Sequence, residues 1–230
     1  MPATDADACV GVDELYECLA DACTDYGTPV PVAAALRAEA AQQQQRRAAH
    51  LAARQAADAD VFINEVHYDN EGSDVNQGAE VAVRVGTAAS AYKLHAFDGK
   101  RERFYEEHQL PDTAVVDTTG TGWGFVWVPF DGLQNGGSDG DGLVLTRAGA
   151  VVQFLTYETT SGAFEIDGVS SSDVGVKENS GTATDESMQL QGVGEAFADF
   201  TMVNDLTNTR GALNAPGQTL TGGGGGGGGG

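Results

Sequence analysis

Basic residues are scarce in this chain. Twelve lysines and arginines stand against 34 aspartates and glutamates over 230 residues, a formal net charge of −22 at pH 7. A surface that negative repels phosphate backbones and anionic membranes, so direct nucleic-acid binding through a broad basic face is disfavoured. Long apolar runs are missing too. No stretch approaches the ~20 residues of a bilayer-spanning helix, so no membrane insertion is expected. Cysteine is confined to Cys9, Cys18 and Cys23. Three is odd, so at least one is free or pairs with another chain. Zinc is disfavoured because no CxxC or nearby His completes four ligands. Two readings stay open for these cysteines: small apolar core residues at Cys18 and Cys23, or one disulfide from Cys9 to either in an oxidising compartment. The opening residues, MPATDADACVGVDELYE, lack the basic and apolar regions of a signal peptide. An unsecreted chain and a chain cut from a longer precursor both fit that.

What is present divides the sequence into three parts. Residues 1–58 are rich in Ala, Gln and acids. Within them Leu15, Cys18, Leu19, Ala22 and Cys23 follow the i, i+3, i+4, i+7, i+8 stripe of an amphipathic helix. Asp13 suits its N-cap, and Gly27, Pro29 and Pro31 end it. A second helix is expected from about Val32 to Ala57, where helix-favouring Ala, Gln and Arg dominate. Arg37, Arg46, Arg47 and Arg54 make it the one basic stretch, either a solvated spacer or a contact for an acidic partner. Residues 222–230 are all glycine, too costly in backbone entropy to order, and read as a disordered tail.

Residues 60–221 read differently. Short β-branched and aromatic runs alternate with Gly, Asp, Asn and Ser, the signature of an antiparallel sandwich or barrel. Strands are expected at 61–68, 79–85, 92–97, 103–107, 113–118, 124–130, 142–147, 151–157, 187–191 and 197–203. Trp123, Phe125, Trp127, Phe154 and Tyr157 are the expected aromatic core.

The blocks VFINEVHYDNEGSDVNQGAEVAV, YKLHAFDG and GLQNGGSDGDGLVLTRAGAVVQFLTYE resemble the lamin tail domain, in its bacterial extracellular form. SSDVGVKE, SMQLQGVG and GALNAPGQTL continue the resemblance in the same order, so it spans about Val61 to Leu220. It implies an immunoglobulin-like antiparallel β-sandwich, here with an N-terminal α-helical extension. It also implies a module without catalysis of its own, found beside secreted nucleases and in surface proteins, hence an extracellular or cell-surface setting and a protein or surface-glycan partner. The competing reading is a substrate-positioning accessory domain of a secreted nuclease or phosphodiesterase.

The residues give little sign of catalysis themselves. Gly136–Gly140, GGSDG, fits G-x-S-x-G in letters. A nucleophile elbow, though, needs a strand before Ser138 and a helix after it, and here a loop precedes and a strand follows. His50, His67, His95 and His108 all come earlier in the chain. Glu65 and Glu80 could form an acid/base pair, although acids at sheet ends are common. The loop from Asp69 to Glu80 has the length of an EF-hand. It carries Asp69, Glu71 and Ser73 at positions 1, 3 and 5, yet it has Asp74 where that loop needs glycine, and strands flank it. Calcium in another geometry remains a candidate if Asp69, Glu71 and Asp74 meet Asp139 and Asp141. The alternative is two solvated turns whose side chains bond their own backbone.

Overall fold

The computed structural model describes residues 60–160 and 162–222, together with positions 35, 38, 39, 41, 42 and 45. Apart from those six positions, the expected N-terminal helices lie outside the described residues. So do Cys9, Cys18, Cys23 and the glycine tail from residue 223.

The described part is mainly β. In chain order the strands are β1 (Val61–His67), β2 (Gly78–Arg84), β3 (Tyr92–Asp98), β4 (Arg103–Gln109), β5 (Trp123–Pro129), β6 (Asp141–Arg147) and β7 (Ala150–Tyr157). They continue with β8 (Glu165–Ile166), β9 (Val169–Ser170), β10 (Ser172–Asp173), β11 (Glu186–Gly194), β12 (Phe200–Thr207) and β13 (Gln218–Leu220). One sheet runs β12-β11-β1-β2-β5, with β13 beside β11. The other runs β10-β7-β6-β3-β4. Pairing is antiparallel except at β10–β7 and β11–β13. The two sheets make a β-sandwich-like body.

Nine of the ten expected strands are found, with ends shifted by a few residues. The tenth, 113–118, is irregular. Its run ends at Asp117, whose carboxylate accepts the backbone N–H groups of Thr119, Gly120 and Gly122 at 2.8–3.0 Å. That local turn competes with any ladder. The segment lies against β5 instead, where a Cβ on Gly124 would stand 2.2 Å from the Val116 carbonyl oxygen.

Between the sheets lie Val61, Ile63, Val66, Tyr68, Leu94, Leu143 and Leu155, all buried in one cluster. Trp123 packs against Phe62 at 5.4 Å, and Tyr68 stacks on Tyr157 at 4.1 Å. Both sheets are also covered outside. The β8–β9 hairpin brings Phe164, Ile166 and Val169 onto a second apolar cluster of Phe97, Val144, Val151 and Phe154. Of the expected aromatic core, Trp123, Phe154 and Tyr157 are buried, while Phe125 and Trp127 are half-buried.

Every residue of β1 is buried, and so are Gly78 to Val83 of β2. A strand with one face in water would alternate. The outer face of these strands is therefore covered, and beside Phe62 and Ala82 it carries Asn64, Glu65, His67 and Glu80.

Candidate functional site

The buried polar face begins with one irregularity. The β1–β2 register shifts between Ile63 and Glu65, which leaves Asn64 as an extra residue. The Ile63 N–H instead reaches across to Gln153 Oε1 of β7, at 2.9 Å. Beyond the bulge, Glu65 stands opposite Glu80 on one side and Gln189 on the other, and Glu80 stands opposite Trp127. One cross-strand row therefore holds Gln189, Glu65, Glu80 and Trp127.

The segment 208–217, between β12 and β13, straps over this row. Thr209 donates its hydroxyl to Glu65 Oε2 at 2.8 Å, and Ser187 donates to Glu65 Oε1 at 2.9 Å. Gly211 N–H donates to Glu80 Oε2, and Asn64 Nδ2 donates to Glu80 Oε1 at 3.0 Å. Asn214 Nδ2 caps the carbonyls of Asn64 and Leu190 at 3.1 and 3.2 Å, while its Oδ1 lies 2.7 Å from the Thr209 hydroxyl and competes with Glu65 for its one proton. Gln218 Nε2 closes the circuit on Asn64 Oδ1 at 2.6 Å. Arg210 lays its guanidinium over the Trp127 ring, 4.1 Å from the centroid. Its Nε and Nη2 are buried without a hydrogen-bond partner, so it meets the carboxylates through charge alone.

Two carboxylates sealed side by side cannot both ionise cheaply. Burial pushes Glu80 up to about 8, helped by the neighbouring Glu65 charge and opposed by the bonds from Asn64 and Gly211. Burial raises Glu65 as well, against the bonds from Thr209 and Ser187. As an acid/base pair the two fail on access: both are 0% exposed.

A second buried assembly continues from β1. His67 Nδ1 lies 2.9 Å from Glu178 Oε1, and its Nε2 lies 3.1 Å from the Val75 carbonyl oxygen. Glu178 Oε2 accepts the N–H groups of Tyr68 and Asp69 at 2.5 and 3.0 Å. Tyr68 donates its hydroxyl to Glu158 Oε1 at 2.8 Å and accepts the Glu178 N–H at 2.9 Å.

The five candidate calcium ligands do not converge. Asp69 and Asp74 are close neighbours. Burial and then Asp74 raise the Asp69 pKa, with smaller pushes from Glu158 and Glu178. Asp74 Oδ2 accepts from Asn135 Nδ2 at 3.2 Å, so the two acidic loops do share one end of the sandwich. Asp141, only 4% exposed, turns inward and accepts the N–H groups of Gly99 and Gly136 at 3.1 and 3.0 Å. Burial lifts it to about 6. Among the described residues no hydrogen bond or ion pair ties the Glu71 or Asp139 carboxylate to the other three. No group of three or more His, Cys, Asp or Glu side chains there could hold a metal ion. Asn70 does what the solvated-turn reading expects: its Oδ1 accepts the Val75 N–H at 2.9 Å, and its Nδ2 donates to the carbonyls of Glu71 and Ser73.

Gly136–Gly140 forms a turn into β6, and the exposed Ser138 offers its carbonyl to Thr160. The sequence reading missed Glu158 and Glu178, which occupy the ground between the loops. Nothing local marks either one; Glu178 lies 111 positions from the histidine it pairs with. No protein-family model matches the chain, and no curated protein or solved structure matches it either.

Proposed function

We propose that residues 60–221 form a non-catalytic interaction or targeting module of the lamin-tail type, with an immunoglobulin-like sandwich, in a protein of the extracellular space or cell surface. One observation carries this reading. The blocks that resemble the family, far apart in sequence, meet in the two buried polar assemblies. VFINEVHYDN supplies Asn64, Glu65 and His67, and AEVAV supplies Glu80. SSDVGVKE supplies Glu178, SMQLQGVG supplies Ser187, and GALNAPGQTL supplies Gly211, Asn214 and Gln218.

A shared pattern of this kind is what a common scaffold requires. Its buried acids and imidazole are spent on holding loops in place, and none is free to meet a substrate. Outward, the module offers a rigid, strongly acidic surface, suited to a basic protein face or a surface glycan.

The test is an assay of the purified chain on DNA, phosphate esters and glycans, with and without Mg²⁺ or Ca²⁺. It is paired with binding to immobilised cationic polypeptide and to cell-surface polysaccharide across a salt series. Saturable binding without turnover is expected. Turnover that survives repurification overturns the reading, and saturable DNA binding at physiological salt moves it to the nuclease-accessory class.

A further inference from the structure

We propose that the acidic loop 69–77 is held closed by one proton shared in the sealed His67–Glu178 bridge, and that loss of this proton releases the loop. The argument is a count of donors. The Val75 carbonyl can only accept, so His67 Nε2 carries a hydrogen. The contact between Nδ1 and Glu178 Oε1, at 2.9 Å, needs a second one. The doubly protonated imidazole supplies it, with Glu178 as the accepting carboxylate. A neutral His67 facing an ionised Glu178 would set a lone pair against a carboxylate oxygen. Both side chains are 0% exposed, so water cannot relieve that contact.

The bridge holds both ends of the loop. Its carboxylate takes the N–H of Asp69 at the start, and its imidazole takes the carbonyl of Val75 near the end. A third tie, from the Glu71 N–H to the Thr182 carbonyl at 2.9 Å, joins the same two segments.

The charged groups around His67 come from three directions. Glu178 favours the extra proton, Arg210 on the strap opposes it, and the Asn70 side chain assists it. Glu158 stands behind Tyr68. Burial presses the imidazole pKa down, but the Glu178 bond and charge outweigh it, so the net direction is upward from 6.5. A raised folded value means that the latch is fully engaged below 6.5 and weakens as pH rises through the folded value. The presentation of Asp69, Glu71 and Asp74 would follow the same course.

The test uses the full chain. The ¹⁵N signals of the His67 ring are followed through a pH titration, alongside hydrogen exchange of the backbone amides in 69–77 and in β6. The expected result is a doubly protonated His67 ring that persists above pH 6.5. Loop protection should then be lost in step with that proton while β6 stays protected. Loop protection that ignores the bridge titration overturns the proposal.

Glu178→Gln sharpens the test. The amide oxygen can accept the two backbone N–H groups while its nitrogen donates to Nδ1. A singly protonated His67 then satisfies every bond. In this variant the His67 titration should move below 6.5 and the loop should stay protected throughout. If the loop still opens at the wild-type pH, the proposal is wrong. If the variant does not fold, the wild-type titration decides alone.

Discussion

Glu80→Gln isolates one electrostatic cost of the fold. Glu80 is 0% exposed, and its pKa is raised from 4.5 to about 8. Between those values the folded chain keeps a proton that the unfolded chain has released. Stability from this group is therefore full below 4.5 and falls as pH rises, by about 1.4 kcal/mol for each pH unit. From pH 5 to pH 7 the loss is on the order of 2–3 kcal/mol, a large share of the ~5–15 kcal/mol that holds a typical domain together. Glutamine cannot ionise, so the variant lacks this slope. It carries a different penalty. Its amide must satisfy the Gly211 N–H and Asn64 Nδ2 with one oxygen, which leaves a donor facing a donor at a cost of about 1–3 kcal/mol. The variant should be the less stable protein at pH 5 and the more stable one at pH 8, with the two curves crossing between. Urea denaturation at pH 5, 6, 7 and 8, at constant ionic strength, measures both. Parallel curves would mean that Glu80 does not hold its proton, and the account of the carboxylate pair would fall.

Three further substitutions or additions probe the rest. Asn214→Ala removes the amide donor to the carbonyls of Asn64 and Leu190 and the oxygen beside the Thr209 hydroxyl, so it should cost about 1–3 kcal/mol in urea and loosen amides in 208–217. Gly78→Ala places a methyl 2.5 Å from both Trp127 Cζ2 and the Val128 carbonyl oxygen, so a loss of about 1–3 kcal/mol should accompany a shift in tryptophan fluorescence. Ca²⁺ and Mg²⁺ at equal ionic strength should shift the melting temperature alike, through screening. A Ca²⁺-specific rise that Asp69→Asn or Asp139→Asn abolishes would show that the two loops do form a cation site.

The sandwich was legible because its strands announce themselves locally, by β-branched runs between turn residues. The segment 113–118 carries the same local signal and fails because Asp117 offers the backbone a competing set of bonds. The site was much less legible. Glu65 and Glu80 were visible as two acids on two strands, but only the register makes them neighbours, and that register depends on the bulge at Asn64. The strap that covers them, NTRGALNAPG, has neither helical nor strand periodicity. Its order comes from side chains up to 144 positions away. The loop at Asp69–Glu80 drew attention to its own carboxylates. The acids that organise it, Glu158 and Glu178, are supplied by other segments.

A chain with a net charge of −22 gains nothing by hiding more negative charge, yet this fold buries several acids. Protonation resolves the conflict. Glu65, Asp69, Glu80 and Asp141 are all raised, chiefly by burial, and His67 is raised by its partner. All five therefore lose stabilising free energy in the same direction, as pH rises. The opposing groups are Asp98, Asp117, Asp199 and Glu107, held down by hydrogen bonds, which lose theirs only as pH falls below their ordinary values of 3.8 and 4.5, and His95, pushed down by burial, which loses its share as pH falls below 6.5. Between these limits lies a mildly acid window in which the strap and the latch are both engaged. Above it, the same carboxylates that order the loops begin to repel one another. The sandwich core, built from Val61, Ile63, Leu94, Leu143 and Trp123, has no titratable part in this. Proton release should therefore loosen the loops at one end and the strap on one face before it touches the sheets, which confines the pH response to the surfaces that a partner would meet.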